Sequence, residues 1–370
     1  MKSILMKIFG CLREQKCTVT PFEPSLQNMP DVVMKQILNE LDFRSILNLR
    51  KVSHNFRDFI DNVKPPSFLT SISINVQSEM ISFELIFPAG PKSFHGSQMF
   101  YVEFKTHSEG CAVQWFNKRK LMKKILENRH FVETALQDFQ VLMKHQRSIL
   151  SMFRLEFEYC KQSINQVDHD LDPIADMVLT RIEALKKLQV EDLSMSVIRQ
   201  EQVMPVLSII DPNSLRKIKI YGKKSFPMDA FEVDKLETLE QWKSAKELKL
   251  WRYNMSIPME KFTHFQTVQL FFQTIPAEQI LNLKRIFLSL PCNIKSCSLK
   301  YKFIDDLPLL TDSLGPFVEE TDQYGVSEKR WIFKIEESMK VVSISMLSSG
   351  FITLEQVERS QISARIRPLN

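Results

Sequence analysis

The strongest hydrophobic pattern in the chain lies between Met29 and Ile60, where apolar residues recur at helical spacing in three short runs. Val33, Ile37 and Leu41 stand four apart, and Met34 and Leu38 add the neighbouring row, so a first helix carries a wide apolar face. Pro30 suits a first helical turn, where a missing N–H costs nothing. Asp42 is placed to cap a second helix bearing Ile46, Leu47 and Leu49, and Ser53 a third bearing Phe56, Phe59 and Ile60. Three helices this short have little interior of their own. A unit below about 40 residues usually needs a partner, a metal or disulfides to be stable. No cysteine lies in this stretch, so its surplus apolar surface predicts a partner.

Pro65-Pro66 forms a stiff exit, and beyond it the period changes from helical to alternating. Runs at Ser71–Val76, Ile81–Phe87, Met99–Phe104 and Ala112–Phe116 read as strands of an antiparallel meander, bounded by Pro88, Gly90, Pro91 and Gly110. Next comes a basic stretch with Lys118, Arg119, Lys120, Lys123 and Lys124. Leu121, Met122, Ile125 and Leu126 interleave with these at helical spacing, which predicts a solvated helix face. The same charge also suits nucleic acid or a nuclear address. A helical run from about Asn128 to Leu150 then leads to a strand at Phe153–Tyr159.

From there one short pattern recurs: apolar, two residues, apolar, one residue, apolar. It occurs as Met152/Leu155/Phe157, Leu185/Leu188/Val190, Leu215/Ile218/Ile220, Ala245/Leu248/Leu250, Phe265/Val268/Leu270 and Ile294/Cys297/Leu299. Amphipathic helical stretches such as Val233–Ala245 and Ala277–Leu290 lie between copies. This is the grammar of an irregular leucine-rich repeat, in which strand–helix units stack because none buries its apolar face alone. A doubly wound α/β domain is the competing reading, but no GxxxxGK[ST] or GxGxxG loop follows any strand. In the pattern the intervening residues point away from the core. That places Tyr221, Trp251 and Phe271 in an aromatic row, beside Lys219, Lys249 and Gln269, on the concave sheet face. Glu156, Glu158 and Glu191 hold the corresponding places on the earlier strands. The aromatics either form a binding surface or fold over the loop edge and pack there.

Composition narrows the classes. With 370 residues, 44% hydrophobic and 25% charged, the chain has the make-up of a soluble globular protein, and its net charge is +5. Its cysteines (Cys11, Cys17, Cys111, Cys160, Cys292 and Cys297) form no CxxC pair, and no histidine stands at zinc-ligand spacing. Free thiols in a reducing compartment follow, cytoplasmic or nuclear. The N-terminal MKSILMKIFG run is too short and too charged to span a membrane. No HExxH or GxSxG pattern occurs. Asp168-His169-Asp170 reads as a polar loop, Cys111 as a buried thiol, and Asp305-Asp306 and Glu319-Glu320 as solvated carboxylates. Trp242 and His264 read as packing residues. No catalytic, cofactor-binding or metal-ligating residue is assigned.

Two resemblances join these observations. The opening Met29-Pro30, Ile37-Leu38-x-x-Leu41, the Ile46-Leu47-x-Leu49-Arg50-x-Val52 run and Phe56 resemble an F-box, with Ser53-His54 where a Cys-Arg pair is common and Phe56 where tryptophan is frequent. Further on, Val203-Met204-Pro205-Val206-Leu207, Leu215-Arg216-Lys217-Ile218, the Leu239 to Lys246 run around Trp242, and His264-Phe265 occur in the order seen in the FTH domain. That domain accompanies F-boxes in a large nematode family. The resemblance covers about Leu188 to Tyr301, with a tail reaching Arg330-Trp331 and Val341–Met346.

The implied fold is mixed α+β and α/β: a three-helix F-box, then an irregular leucine-rich-repeat-like β/α domain. The expected divisions are a lead at 1–24, the F-box at 25–66, a β-rich segment at 67–127, the repeat-like region with the FTH domain at 128–350, and a tail at 351–370. The implied function is substrate recognition for a Skp–cullin–F-box ubiquitin ligase. Met29, Pro30, Val33, Ile37, Leu38, Leu41, Ile46, Leu47, Leu49, Val52 and Phe56 would meet the Skp adaptor, and through it a cullin. Lys219, Tyr221, Lys249, Trp251, Gln269 and Phe271 would meet a protein target. A non-degradative scaffold, or a nucleic-acid-binding module using the basic stretch and the sheet lysines, are the alternatives.

Overall fold

The structure is a computed structural model. It describes residues 29–41, 43–63, 69–88, 98–117, 120–144, 146, 148–158, 171–185, 187–222, 230–253, 257–289, 292–336 and 338–361. Asp42 and Asp168-His169-Asp170 lie outside these. The chain divides into two compact units, Met1–Glu191 with Ile209–Ser214, and Asp192–Ser208 with Leu215–Asn370.

The first unit opens with three helices, α1 (Asp31–Glu40), α2 (Phe43–Val52) and α3 (His54–Val63). Ser53 caps α3, its Oγ accepting the Phe56 N–H at 3.2 Å. Met34, Leu38, Ile46, Phe56 and Ile60 form a small core of their own. Five strands then pair antiparallel in chain order: β1 (Ser71–Val76), β2 (Met80–Phe87), β3 (Gln98–His107), β4 (Gly110–Asn117) and β5 (Lys120–Glu127). Helix α4 (Phe131–Lys144) packs over β2, β3 and β4. Strand β6 (Leu150–Phe157) returns parallel to β1, and α5 (Leu171–Glu183) lies against α4. The core is aromatic: Phe139 of α4 sits 6.0 Å from Phe83 and 6.4 Å from Phe153, ring centre to ring centre.

From Lys120 the basic stretch is strand β5, not a helix, and Lys118 and Arg119 lie outside the described residues. The reason is arithmetic. Residues four apart share a face in both a helix and a strand, so Leu121/Ile125 and Met122/Leu126 fit either period. The helical run after Asn128 is also shorter than its pattern, because the chain ends α4 at Lys144 and enters β6 at Leu150.

In the second unit β7 (Val190–Ser196), β8 (Lys217–Tyr221), β9 (Glu247–Trp251), β10 (Thr267–Ile275) and β11 (Ser296–Ile304) pair parallel, each with the next in sequence. Short helical connections join them: α6 (Met204–Ser208), α7 (Glu240–Ser244) and the longer α8 (Ala277–Leu288). The expected helix over Val233–Ala245 is instead a 3-10 turn at Leu236–Thr238 followed by α7. After α9 (Leu307–Leu314) the chain adds β12 (Val318–Thr321), β13 (Ser327–Lys334), β14 (Lys340–Leu347) and β15 (Phe351–Glu358), all antiparallel. Strand β15 closes against β11, so the expected tail at 351–370 opens with a strand over Phe351–Glu358.

The repeating pattern sets the register. Ile218 pairs with Leu248, Leu248 with Val268, and Val268 with Cys297, giving one buried row across four strands. One copy is misplaced: β7 meets β8 through Leu193 and Met195, whereas Leu188 bridges to Ile210. Leu188 and Val190 carry the same spacing as Leu193 and Met195, and spacing alone does not choose between them.

Gly350 makes the β14–β15 turn possible. Its φ is +84°, and a Cβ there would lie 2.6 Å from the Tyr301 carbonyl oxygen. Gly350→Ala should therefore lower stability by more than about 1 kcal/mol, read as a fall in the urea midpoint by far-UV circular dichroism.

Candidate functional site

Rows of side chains on the second unit follow from the parallel register. The buried partners Ile218, Ile220, Leu248, Leu250, Val268 and Leu270 take one face of the strands, and the residues between them take the other. On that other face Lys219, Lys249, Gln269 and Ser298 stand side by side. One step further along, Tyr221 pairs with Trp251. The Phe271 ring meets Trp251 edge-on at 6.3 Å, and Phe351 of β15 stacks on Trp251 at 6.4 Å. All six residues expected on this surface are brought together. Phe271, however, is only 5% exposed, so it supports Trp251 rather than standing free.

The charges on this face are of two kinds. Lys217 and Lys219 are neutralised, by Glu247 at 2.5 Å and Asp192 at 2.6 Å. Lys249 and Lys300 instead lie over rings. The Lys249 Nζ is 5.0 Å from the Trp251 ring centre and 5.8 Å from that of Tyr221. The Lys300 Nζ is 4.9 Å from Phe351 and 5.5 Å from Trp251. Burial, and then the charge of Lys219, hold the Lys249 ammonium below the ordinary lysine value.

Phe351 and Asp192 lie outside the rows that the repeats predict, whereas Lys300 follows Leu299 in the last copy, the place that Tyr221, Trp251 and Phe271 hold in theirs. Phe351 reaches the cluster only because β15 docks on β11, whereas Lys300 is brought there by its pairing with Phe271 of β10. Asp192 corrects Glu191: the register places Asp192 opposite Lys217, within reach of Lys219. Glu158 is held by Gln77, whose Nε2 donates to it at 2.7 Å.

The helix trio shows a second surface. Arg50 of α2 grips Asp61 of α3 through two hydrogen bonds, at 2.6 and 2.7 Å. Val32 and Val52 are 68% and 67% exposed, and Met29, Pro30 and Val33 are exposed too. Leu38, Ile46 and Phe56, also expected to meet the adaptor, face inward and bind the three helices to one another. Ile37, Leu41 and Leu49 are half-buried against them. The side chain of Leu47 lies outside the described residues. Helical periodicity marks apolar rows but does not say which row faces the helices' own core.

Comparison with known proteins finds two domains. The F-box domain matches residues 26–68 and the FTH domain residues 173–309. These two domains, in this order, make the chain similar to the nematode F-box plus FTH proteins. It is 23% identical over 265 residues to F-box A protein 224 of Caenorhabditis elegans, a match covering 71% of this chain and 63% of that protein. No solved structure matches it.

Within the FTH domain the aromatic–lysine face spans β8 to β11, while Trp242 and Phe265 lie in its interior. Their rings meet edge-to-face at 5.3 Å, and Trp242 is fully buried. His264 stacks on Phe265 at 4.0 Å, with its Nε2 3.3 Å from the Trp242 carbonyl oxygen. These side chains pack the domain. Cys111 is buried in β4, and burial pushes its thiol up to about 11, so little thiolate exists at neutral pH. Asp305 and Asp306 are exposed, in line with the solvated reading, and their carboxylates serve backbone N–H groups. Asp305 accepts the N–H groups of Ala277 and Asp306, and Asp306 caps α9 by accepting the Leu309 N–H. Glu319 and Glu320 are exposed on β12. Among the described residues no cluster of histidine, cysteine and carboxylate groups suits a metal, and no helix is long and apolar enough to cross a membrane.

His264 also carries a pH signature. Burial holds its imidazole below the ordinary value of 6.5, so the folded state favours the neutral ring. Its contribution to stability is fully present above that pH and is lost as pH falls through the lower folded value. The urea midpoint should fall as pH drops below 6.5, and His264→Gln should flatten that slope.

Proposed function

We propose that this chain is the substrate-recognition subunit of a Skp–cullin–F-box ubiquitin ligase. The observation that carries the reading is the pairing of an F-box, matched at residues 26–68, with an FTH domain whose sheet face offers an aromatic patch to a partner. Met29, Val32, Val33 and Val52 present apolar side chains to water, as a helix trio awaiting an adaptor would. The half-buried Ile37, Leu41 and Leu49 border that surface.

The target surface is Lys219, Tyr221, Lys249, Trp251 and Gln269, with Phe271 beneath. Aromatic residues at the centre of an interface often carry about 2 kcal/mol or more each. The run β7 to β11 supports a leucine-rich-repeat-like reading, because its parallel neighbours follow chain order and leave no strand-order reversal at which a doubly wound domain binds its ligand. No side chain of this subunit makes or breaks a bond. Its effect is proximity: it holds a target lysine at high local concentration near a charged conjugating enzyme.

Two substitutions separate the surfaces. Val33→Asp with Val52→Asp should abolish co-purification of the Skp adaptor while leaving the helix content unchanged, because both side chains are exposed. Leu38→Ala, a fully buried position, should instead cost about 2–5 kcal/mol of F-box stability. Adaptor binding that survives the double charge change refutes the assigned surface. Tyr221→Ala with Trp251→Ala should lose captured targets and keep the adaptor, as scored by quantitative affinity purification.

A further inference from the structure

We infer that the aromatic face of the FTH domain takes an acidic segment of a protein target, with carboxylate side chains at Lys249 and Lys300 and an apolar side chain between them against Trp251. This deepens the proposed function and rests on it.

Three observations carry the inference. First, Lys219 and Lys249 stand directly opposite each other on neighbouring strands, an arrangement that destabilises a sheet. Asp192 compensates Lys219 at 2.6 Å. Among the described residues no carboxylate reaches Lys249 or Lys300, although Glu247 is close enough to neutralise Lys217 on the same strands. Second, the two uncompensated ammonium groups flank one ring system. Both lie within 5.5 Å of the Trp251 ring centre, Lys249 with Tyr221 beside it and Lys300 with Phe351. Partial burial of Lys249 leaves it short of water, so an incoming anion replaces solvation it already lacks. Third, the partnered charges limit what fits. Asp192 and Glu247 stand on the same face, so a phosphate backbone running along the lysine row would meet carboxylates. Two free cationic centres beside a ring suit a short peptide bearing separate acids; a polyanion needs a continuous stripe.

The test uses the full-length chain and a random 12-residue phage-displayed peptide library. Selection on the wild type should enrich Asp and Glu flanking an aromatic or aliphatic residue at least about tenfold over the unselected library. The Lys249→Gln/Lys300→Gln variant should lose that enrichment while its melting temperature stays level or rises, since a like-charge pair has been removed. A synthetic peptide of the enriched sequence should bind at least about tenfold tighter than its Asn/Gln counterpart, by fluorescence anisotropy. No acidic enrichment, or equal enrichment on the variant, overturns the inference. So does a labelled 20-mer of oligo(dT) that binds more tightly than every selected peptide, which would assign the face to single-stranded nucleic acid. If Tyr221→Ala with Trp251→Ala still abolishes target capture while acidic enrichment is absent, the face is the target site and only its charge preference is refuted. If that double variant captures the same targets, the surface assignment falls and this inference falls with it.

Discussion

Side-chain alternation across the parallel strands β8 to β11 is the constraint on which the FTH domain depends. A strand has a period of two, so a slip of one residue would carry every buried side chain to the other face. Ile218, Leu248, Val268 and Cys297 form one buried row across the four strands and exclude such a one-residue slip. The same register lines up Lys219 with Lys249 and Tyr221 with Trp251. The core and the outward face are thus one decision. Whatever fixes the first builds the second, with no further cost in backbone order.

Two places in the molecule depart from the local rules that stabilise a fold. One is the Lys219–Lys249 opposition, relieved only in part by Asp192 and by the rings of Tyr221 and Trp251. The other is the exposure of Val32, Val33 and Val52 on helices that already have little to bury. Each departure leaves favourable contacts unmade in the isolated chain. Natural sequences accept such conflicts chiefly where a partner resolves them. The first is electrostatic and the second hydrophobic, which suits two partners of different chemistry.

The joining of these features runs through unremarkable residues. Gly350 permits the turn that swings β15 onto β11, and β15 delivers Phe351 to Trp251. Trp242, Phe265 and His264 stabilise the layer behind the strands without touching the outward face. Asp305 and Asp306 tie α8 and α9 to the end of β11. Their charge serves backbone N–H groups, which is why they carry no chemistry of their own.

By itself the sequence determined the helix trio, the alternating strands and the aromatic row, because periods of 3.6 and 2 are local properties that neighbouring residues carry in full. Ser53 at its cap and the Ile218/Leu248/Val268 row were legible for that reason. Only the tertiary structure decided what a period leaves open. Leu121/Ile125 satisfies both periods, and the pairing of β4 with β5 chose the strand. Leu188 and Leu193 share a spacing, and pairing with β8 chose Leu193. Leu38, Ile46 and Phe56 look like interface residues until the three helices close and bury them. Phe351 joined the binding face through a contact between strands more than 40 residues apart, which no local pattern records. Burial and long-range pairing are relations between segments, so they exist only once the chain has folded.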